Sequence, residues 1–132
     1  MNPITDLQEL LTKMDPTLNV GEYVFTTVSD INLIPREKSV CEMKEKEGVT
    51  VVLLKSDAEL LDLSFDFIAS WITLNVHSAL EAVGLTAAFA SELAQHQISC
   101  NVIAGFYHDH IFVEKKDEAM ALRVLLNMSG KS

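Results

Sequence analysis

The residues best suited to bind a small molecule lie in the segment 75–86, where a strand-forming run is followed by a helix-forming one. Gly84 permits a sharp backbone turn or a close approach of the main chain to a ligand. The N–H groups that follow it, at Leu85 and Thr86, belong to a first helical turn and have no partner within the helix. Together with the helix dipole, these groups favour a negatively charged ligand group such as a carboxylate.

The same loop also carries groups that suit a positive charge. Glu81 and Ser78 could meet an ammonium group or another polar end of the same ligand. A site with both signs of charge suits an amino acid. The alternative is an ordinary strand-to-helix connection whose N–H groups are capped by water or by side chains.

A second candidate is the run His108-Asp109-His110, which we expect inside a strand. Alternate residues of a strand share a face, so both imidazoles could reach one zinc or nickel ion, and His77 or Asn75 could approach from a neighbouring strand. No local spacing fixes a third ligand. The alternatives are a polar sheet face where two modules or two subunits meet and a pH-dependent switch of the assembly.

Cys100 lies beside Asn101 within a predicted strand, and a nucleophilic Cys-His-Asn set is conceivable. A cysteine at such a position is more often a small buried apolar residue. We therefore assign no catalytic residue and expect a protein that is not an enzyme.

The composition excludes several classes of partner. The chain has 132 residues and a formal net charge of −9, which disfavours binding to nucleic acid or to an anionic membrane surface. Its two cysteines form neither a disulfide framework nor a C-x-x-C motif, which suits a reducing cytoplasm. We expect no signal peptide, and no apolar run approaches the roughly 18 residues of a membrane-spanning helix. No phosphate-binding loop or dinucleotide fingerprint is present, and no cofactor is expected.

Hydrophobic periodicity predicts the elements that must position these residues. The predicted helices are Ile4–Met14, a short one capped by Ser56-Asp57 and ending at Leu63, Leu85–Gln97 with Leu85, Phe89 and Leu93 on one face, and Asp117–Met128 with Ala119, Leu122 and Leu126 inward. The predicted strands are Glu22–Val28, Val49–Leu54, Trp71–Val76, Ile98–Ala104 and Phe106–Val113. Ser29–Pro35 is a turn or short helical piece, and Cys41–Glu47 an edge strand or a loop.

From Trp71 onward, the order strand, helix, strand, strand, helix is most of a ferredoxin-like βαββαβ unit that lacks its last strand. Because an open sheet edge promotes aggregation, another strand must cover it, supplied by the first half of the chain or by a second subunit. The first half has a faint echo of the second: Lys55-Ser56-Asp57 and Lys115-Lys116-Asp117 each lie between a predicted strand and a predicted helix.

Several runs of the sequence resemble the ACT-domain family of small βαββαβ modules. These runs are Trp71–Ser78, Glu81–Ala87, Ser99–Gly105, Tyr107–Val113, Gly21–Phe25 and Glu47–Thr50. Nearly the whole chain is covered, and it is similar to short bacterial proteins with two ACT-like units in tandem. The resemblance implies an α+β fold of two tandem ferredoxin-like units, residues 1–66 and 67–132, with antiparallel sheets and helices on one face.

ACT domains bind amino acids and regulate metabolic enzymes, and their ligand lies between two modules. The resemblance therefore implies a regulatory or sensor protein of the cytoplasm, acting as a homodimer, with an amino acid or similar small molecule as its partner. Carried over by position, the ligand-binding residues are Ser78, Leu80, Glu81, Val83, Gly84, Leu85 and Thr86, with Asn101 facing them. The alternatives are a metal-binding protein that uses His77, His108 and His110, and a ligand-free interaction module.

Overall fold

A computed structural model describes residues 6–77, 79 and 83–131. Its helices are α1 (Leu7–Lys13), α2 (Lys55–Leu60), α3 (Leu85–Gln95) and α4 (Glu118–Met128). Its strands are β1 (Asp15–Val28), β2 (Ser39–Lys44), β3 (Val49–Leu54), β4 (Ile68–Asn75), β5 (Asn101–Ala104) and β6 (Asp109–Glu114). Short 3₁₀ turns cover Ile31–Leu33, Arg36–Lys38 and Lys115–Asp117.

The chain forms two compact units. The terminal unit combines the described residues of Met1–Asn19 with those of Ser70–Ser132. The middle unit is Val20–Ala69. Strand β1 contributes its first five residues to the terminal unit and the rest to the middle unit.

In the terminal unit, β1 provides the strand that completes the sheet. The strand order there is β1-β4-β6-β5. The Asn75 side chain donates to the Asp15 carbonyl oxygen (2.8 Å) and to Thr17 Oγ1 (2.6 Å), and the Asn19 side chain donates to the Trp71 carbonyl oxygen (3.2 Å). The later residue of β4, Asn75, thus contacts the beginning of β1, and the earlier residue, Trp71, contacts a later residue of β1. The two strands are therefore antiparallel. The prediction that the first half of the chain supplies the missing strand is confirmed.

The predicted start of this strand was wrong. We expected it at Glu22, after a break at Asp15-Pro16, but β1 begins at Asp15. Proline is tolerated at the beginning of a strand, where its missing N–H removes no bond from the interior of the ladder.

The helices of the terminal unit pack on one face of its sheet. β4 and β6 contribute alternate residues to a buried cluster, and α1, α3 and α4 cover it. The cluster contains Leu10, Met14, Ile72, Leu74, Val76, Leu85, Phe89, Leu93, Ile98, Ile111, Val113, Ala121, Val124 and Leu125. The predicted inner face of α3 is confirmed. In α4 the buried residues are Ala121, Val124 and Leu125. Of the residues predicted to face inward, Leu122 packs against the cluster, whereas Ala119 is exposed and that part of the prediction was wrong.

The middle unit has the strand order β2-β3-β1, and both pairs are antiparallel. β3 is the central strand, as its continuous apolar sequence predicts, and β2 is an edge strand. Val24 and Val28 of β1, Val51 and Leu53 of β3, and Ala58 of α2 form its core. Between β1 and β2, two 3₁₀ turns take the place that a βαββαβ pattern gives to a helix.

Two local predictions of the middle and terminal units need correction. Helix α2 begins at Lys55 with Leu54 as its N-cap, so Ser56 and Asp57 lie inside the helix and do not occupy the predicted capping position. Strand β6 begins at Asp109, which leaves Phe106 and His108 in the turn after β5.

Candidate ligand site

Gly84 forms the turn that begins helix α3. It is the N-cap residue of the helix, with φ +103° and ψ −23°. Residues other than glycine rarely adopt such a backbone conformation. A Cβ atom here would also lie 3.3 Å from Leu7 Cδ2 of α1. Glycine therefore satisfies both the turn and the close packing against α1.

The first turn of α3 has donors to offer. The Gly84 carbonyl oxygen accepts from the Ala88 N–H (2.9 Å), which closes the first helical turn. No side chain in the described part of the chain caps the N–H groups of Leu85, Thr86 and Ala87, which come before Ala88 in this turn. The first turn also has no acidic residue. In α1, by contrast, the Asp6 carboxylate accepts from the Glu9 N–H (2.9 Å). Among the described residues, therefore, no side-chain anion offsets the positive end of the α3 dipole.

Of the side chains around this turn, one is buried and two are exposed to solvent. Leu85 is 3% exposed and belongs to the core of the terminal unit. Val83 is 84% exposed, and Thr86 is exposed as well. The turn is thus held in place by Leu85, while Val83 and Thr86 face solvent.

Of the other expected ligand residues, three are not described and Asn101 lies on a different element. Ser78, Leu80 and Glu81 lie outside the described residues. Asn101 is exposed on β5, the outer strand of the terminal unit's sheet, and its side chain donates to the Phe112 carbonyl oxygen (3.4 Å). Val83–Thr86 are therefore together by chain continuity, and Asn101 lies on a separate element.

Sequence reasoning missed an exposed aromatic cluster near the start of the loop. Phe106 and Tyr107 are 71% and 65% exposed, and their rings contact each other with centroids 5.0 Å apart. The His77 ring, just after β4, lies 5.8 Å from that of Tyr107 and 6.2 Å from that of Phe106. The signal was the aromatic pair directly after Gly105, which we read as part of a strand.

The histidines are arranged differently from the metal hypothesis. His108 precedes β6 rather than lying within it, so the expected shared strand face with His110 was wrong. His110 Nδ1 accepts from the Trp71 indole N–H (3.0 Å) and lies 3.2 Å from Thr73 Oγ1. This nitrogen already has a protein donor. Among the residues that the structure describes, no three His, Cys, Asp or Glu side chains are grouped to hold a metal ion.

Burial sets the protonation of the groups around His110. Burial is the main cause that lowers the pKa of His110. The charge of His108 lowers this pKa further, whereas the charge of Asp109 raises it. Burial raises the pKa of the Asp109 carboxyl. The Nδ1 atom of His108 is buried without a hydrogen-bond partner in the described structure. Neutral His110 is therefore the form that this sheet face favours.

Cys100 does not have the environment of a nucleophile. It packs against the core of the terminal unit, and burial raises its pKa to about 11. The thiol form therefore predominates near neutral pH, whereas nucleophilic catalysis needs the thiolate. Cys100 directly precedes β5, so its predicted place within a strand was wrong, but its environment matches the predicted role of a small apolar residue.

Two models of the ACT-domain family match the chain, one over residues 2–70 and the other over residues 67–127. The chain belongs to the ACT-domain family. A search of curated protein sequences gives no match. The α+β fold agrees with this assignment. In the described part of the chain, no helix is long and apolar enough to cross a membrane.

Three solved structures show what the chain is similar to. A Vibrio cholerae protein of unknown function, described as a possible transport protein, is 47% identical; the match covers 93% of this chain and 95% of that one, with a TM-score of 0.84. An Agrobacterium tumefaciens protein is 20% identical over 88% of this chain and 89% of its own, with a TM-score of 0.72. The ligand-free regulatory subunit of aspartate kinase from Thermus thermophilus is 6% identical over 89% of this chain and 98% of its own, with a TM-score of 0.59. The last two similarities concern the fold.

Proposed function

We propose that this protein is a regulatory sensor that binds an amino acid at the loop leading into α3. The ligand carboxylate accepts from the N–H groups of Leu85 and Thr86, beside the Gly84 turn. Glu81 and Ser78 meet its ammonium group. Leu80 and Val83 line the site, and Asn101 faces it from β5.

The observation that carries this proposal is the uncapped start of α3. Gly84 turns the chain there without a side-chain cap, and neither an acidic side chain in the first turn nor a capping group from another described residue neutralises it. The local donors matter more than the overall charge of −9, because exposed charges beyond about 10 Å are largely screened at ordinary ionic strength. A carboxylate is therefore accepted at this point of an acidic protein.

Membership of the ACT family supports the regulatory role, since its domains typically bind amino acids and regulate enzymes. The regulatory subunit of aspartate kinase shares the fold. We propose further that a second ACT unit forms the other wall of the site, that the protein acts as a cytoplasmic homodimer, and that ligand binding favours one arrangement of the units, which a partner recognises.

Calorimetric titration of the folded protein with each of the twenty amino acids tests the proposal. We expect heat of binding from one amino acid or a small group of related ones. No heat from any of them would instead support a ligand-free interaction module.

Two substitutions at the exposed Thr86 separate binding from folding. Thr86→Asp places a carboxylate where the ligand carboxylate binds, and it also complements the helix dipole, so the helix is retained. Thr86→Asn has a similar shape without the charge. We expect Asp to weaken binding by about tenfold or more and Asn to leave it within a few fold, because an anion at the first turn competes directly for the donors. Equal affinities of the two variants would contradict the proposed site.

A further inference from the structure

The surface of the middle unit has a wide, open cavity of about 530 Å³ that the proposed function does not use. It lies between β1, Thr50 of β3 and the segment 64–67 that precedes β4. Three phenylalanine residues line it, Phe25, Phe65 and Phe67, and Phe65 also packs against the core of the middle unit. Its volume is within the range of small-molecule sites.

Two contacts fix the wall formed by segment 64–67. The Thr26 hydroxyl, which is almost fully buried, donates to the Ser64 carbonyl oxygen (2.7 Å). The Phe25 and Phe67 rings meet edge to face, with centroids 6.2 Å apart and an interplanar angle of 63°. Such an arrangement is favourable for two aromatic rings, so the segment is held beside β1 rather than filling the space.

The charge of the lining has one sign. Asp66 lines the cavity with an exposed carboxylate, and none of the described residues that line it is Lys, Arg or His. The remaining polar groups include the hydroxyls of Thr27 and Thr50. Thr50 donates its hydroxyl to Glu45, which brings a second carboxylate next to this lining residue. An anionic ligand would meet no cationic side chain among these described lining residues.

We infer that this cavity binds a small organic cation, a protonated amine with an apolar body. The ammonium group lies near Asp66, where the carboxylate attracts it, and faces the π surface of a phenylalanine ring. The apolar body packs against the Phe25 and Phe67 rings, and the apolar contact adds to the affinity. The site needs no carboxylate on its ligand, which separates it from the amino-acid site at α3.

Titration with phenethylammonium, followed by NMR of the phenylalanine ring signals and by calorimetry, tests this inference. We expect saturable binding of phenethylammonium and weaker binding of 2-phenylethanol, which has the same apolar body without the charge. 3-Phenylpropionate, the matched anion, should bind least. Equal binding of the anion, or no binding of the amine to the folded protein, would overturn the inference.

Two variants assign the site within the cavity. Asp66→Asn should weaken phenethylammonium binding by about 2- to 5-fold, the range typical of an exposed charge pair. The matched control is Asp62→Asn, an exposed residue of the preceding turn that does not line the cavity and whose φ of +57° suits asparagine. Phe67→Leu keeps much of the apolar volume and removes the ring; it should weaken the amine more than the alcohol. Unchanged affinity in both Asp66→Asn and Phe67→Leu would contradict the site.

The amine also distinguishes the two proposals. Phenethylammonium has no carboxylate, so Thr86→Asp should leave its affinity unchanged. A clear change of amine affinity in Thr86→Asp, a gain above all because the new carboxylate attracts an ammonium group, would place the amine at α3 and overturn the inference. The amino-acid proposal depends only on its own titrations.

Discussion

The indole N–H of Trp71 donates to Nδ1 of His110 across 3.0 Å, joining β4 to β6 on the face of the sheet opposite α3 and α4. A nitrogen that accepts this bond carries no proton, so the bond requires the neutral imidazole with its proton on Nε2. Asn19 extends the contact, because its side chain donates to Thr73 Oγ1 (2.9 Å), and Thr73 lies next to the same imidazole nitrogen. Three strands of the terminal unit thus share one polar network.

We expect the stability of the terminal unit to fall as the pH decreases below about 6.5. The folded state lowers the pKa of His110 from its usual 6.5, chiefly by burial. The unfolded chain therefore binds the proton more readily, and stability is present above 6.5 and lost as the pH falls through the folded pKa. Urea unfolding at several pH values between 7.5 and 5, followed by Trp71 fluorescence, measures this slope.

The variant His110→Asn isolates the contribution of this residue. Asparagine keeps an acceptor oxygen near the position of Nδ1 and does not titrate, so the slope between pH 7.5 and 5 should become smaller. His96→Asn, at the exposed end of α3, serves as the control and should leave the slope nearly unchanged. An identical slope in the parent protein and His110→Asn would exclude His110 as its cause.

A buried hydroxyl controls a carboxylate of α4. Ser70 is fully buried, and its hydroxyl donates to Glu118 Oε1 (2.6 Å), which also accepts from Lys115 Nζ (2.9 Å). These two bonds, that of Ser70 first, lower the pKa of Glu118 from its usual 4.5. Stability from this carboxylate is therefore present above pH 4.5 and lost as the pH falls through the lowered value.

Ser70→Ala should raise the pKa of Glu118 toward 4.5 and reduce the free energy of unfolding at pH 7 by about 1.5–3 kcal/mol, the range for a hydrogen bond to a charged group. NMR titration of the Glu118 side chain measures the pKa, and urea unfolding measures the stability. Ser99→Ala, at an exposed position, is the control. An unchanged pKa would show that Lys115 alone sets the charge state of Glu118.

Much of the terminal unit could be predicted because its residues repeat with the period of their elements. Leu85, Phe89 and Leu93 recur at helical spacing and are all buried. The absence of a final strand after α4 predicted an open edge, and β1 fills it. That another strand covers this edge could be inferred because an uncovered sheet edge is unfavourable, whichever strand lies beside it.

The remaining differences come from signals that local sequence does not carry. Asp15-Pro16 has the composition of a break, yet pairing of β1 with β4 begins at this point, through the bond from Asn75 to Asp15. His108 and His110 have the spacing of one strand face, but the chain enters β6 only at Asp109 because the Gly105 N–H binds the His108 carbonyl oxygen and closes a turn. The cavity beside Phe67 is formed by residues distant in sequence and has no motif.

The conformation of Gly84 can be tested without a ligand. Gly84→Ala should destabilise the terminal unit by about 1–2 kcal/mol, because alanine disfavours positive φ and its Cβ would press on Leu7. Gly130→Ala is the matched control: its φ is also positive, at +73°, but a Cβ there meets no atom within 4 Å. Thermal unfolding should therefore show the larger effect at Gly84. Equal effects would mean that the contact with Leu7 adds nothing to the backbone cost.

The side chain of Asn75 provides the test of how firmly β1 is held in the terminal unit. Its amide donates to the Asp15 carbonyl oxygen and to Thr17 Oγ1, and both acceptors belong to the first residues of β1. Asn75→Ala removes both bonds, and we expect a loss of about 1–2 kcal/mol in the free energy of unfolding. Amide hydrogen exchange in residues 15–19 should accelerate more than that in β5 or β6, since the loss is local to the β1–β4 pair.

Asn101→Ala is the control for this variant. The Asn101 side chain, on the exposed outer strand, donates one long bond of 3.4 Å to the Phe112 carbonyl oxygen, so its removal should cost little stability. Faster exchange spread evenly over the sheet would show that β1 is secured by its main-chain ladder and not by the Asn75 side chain.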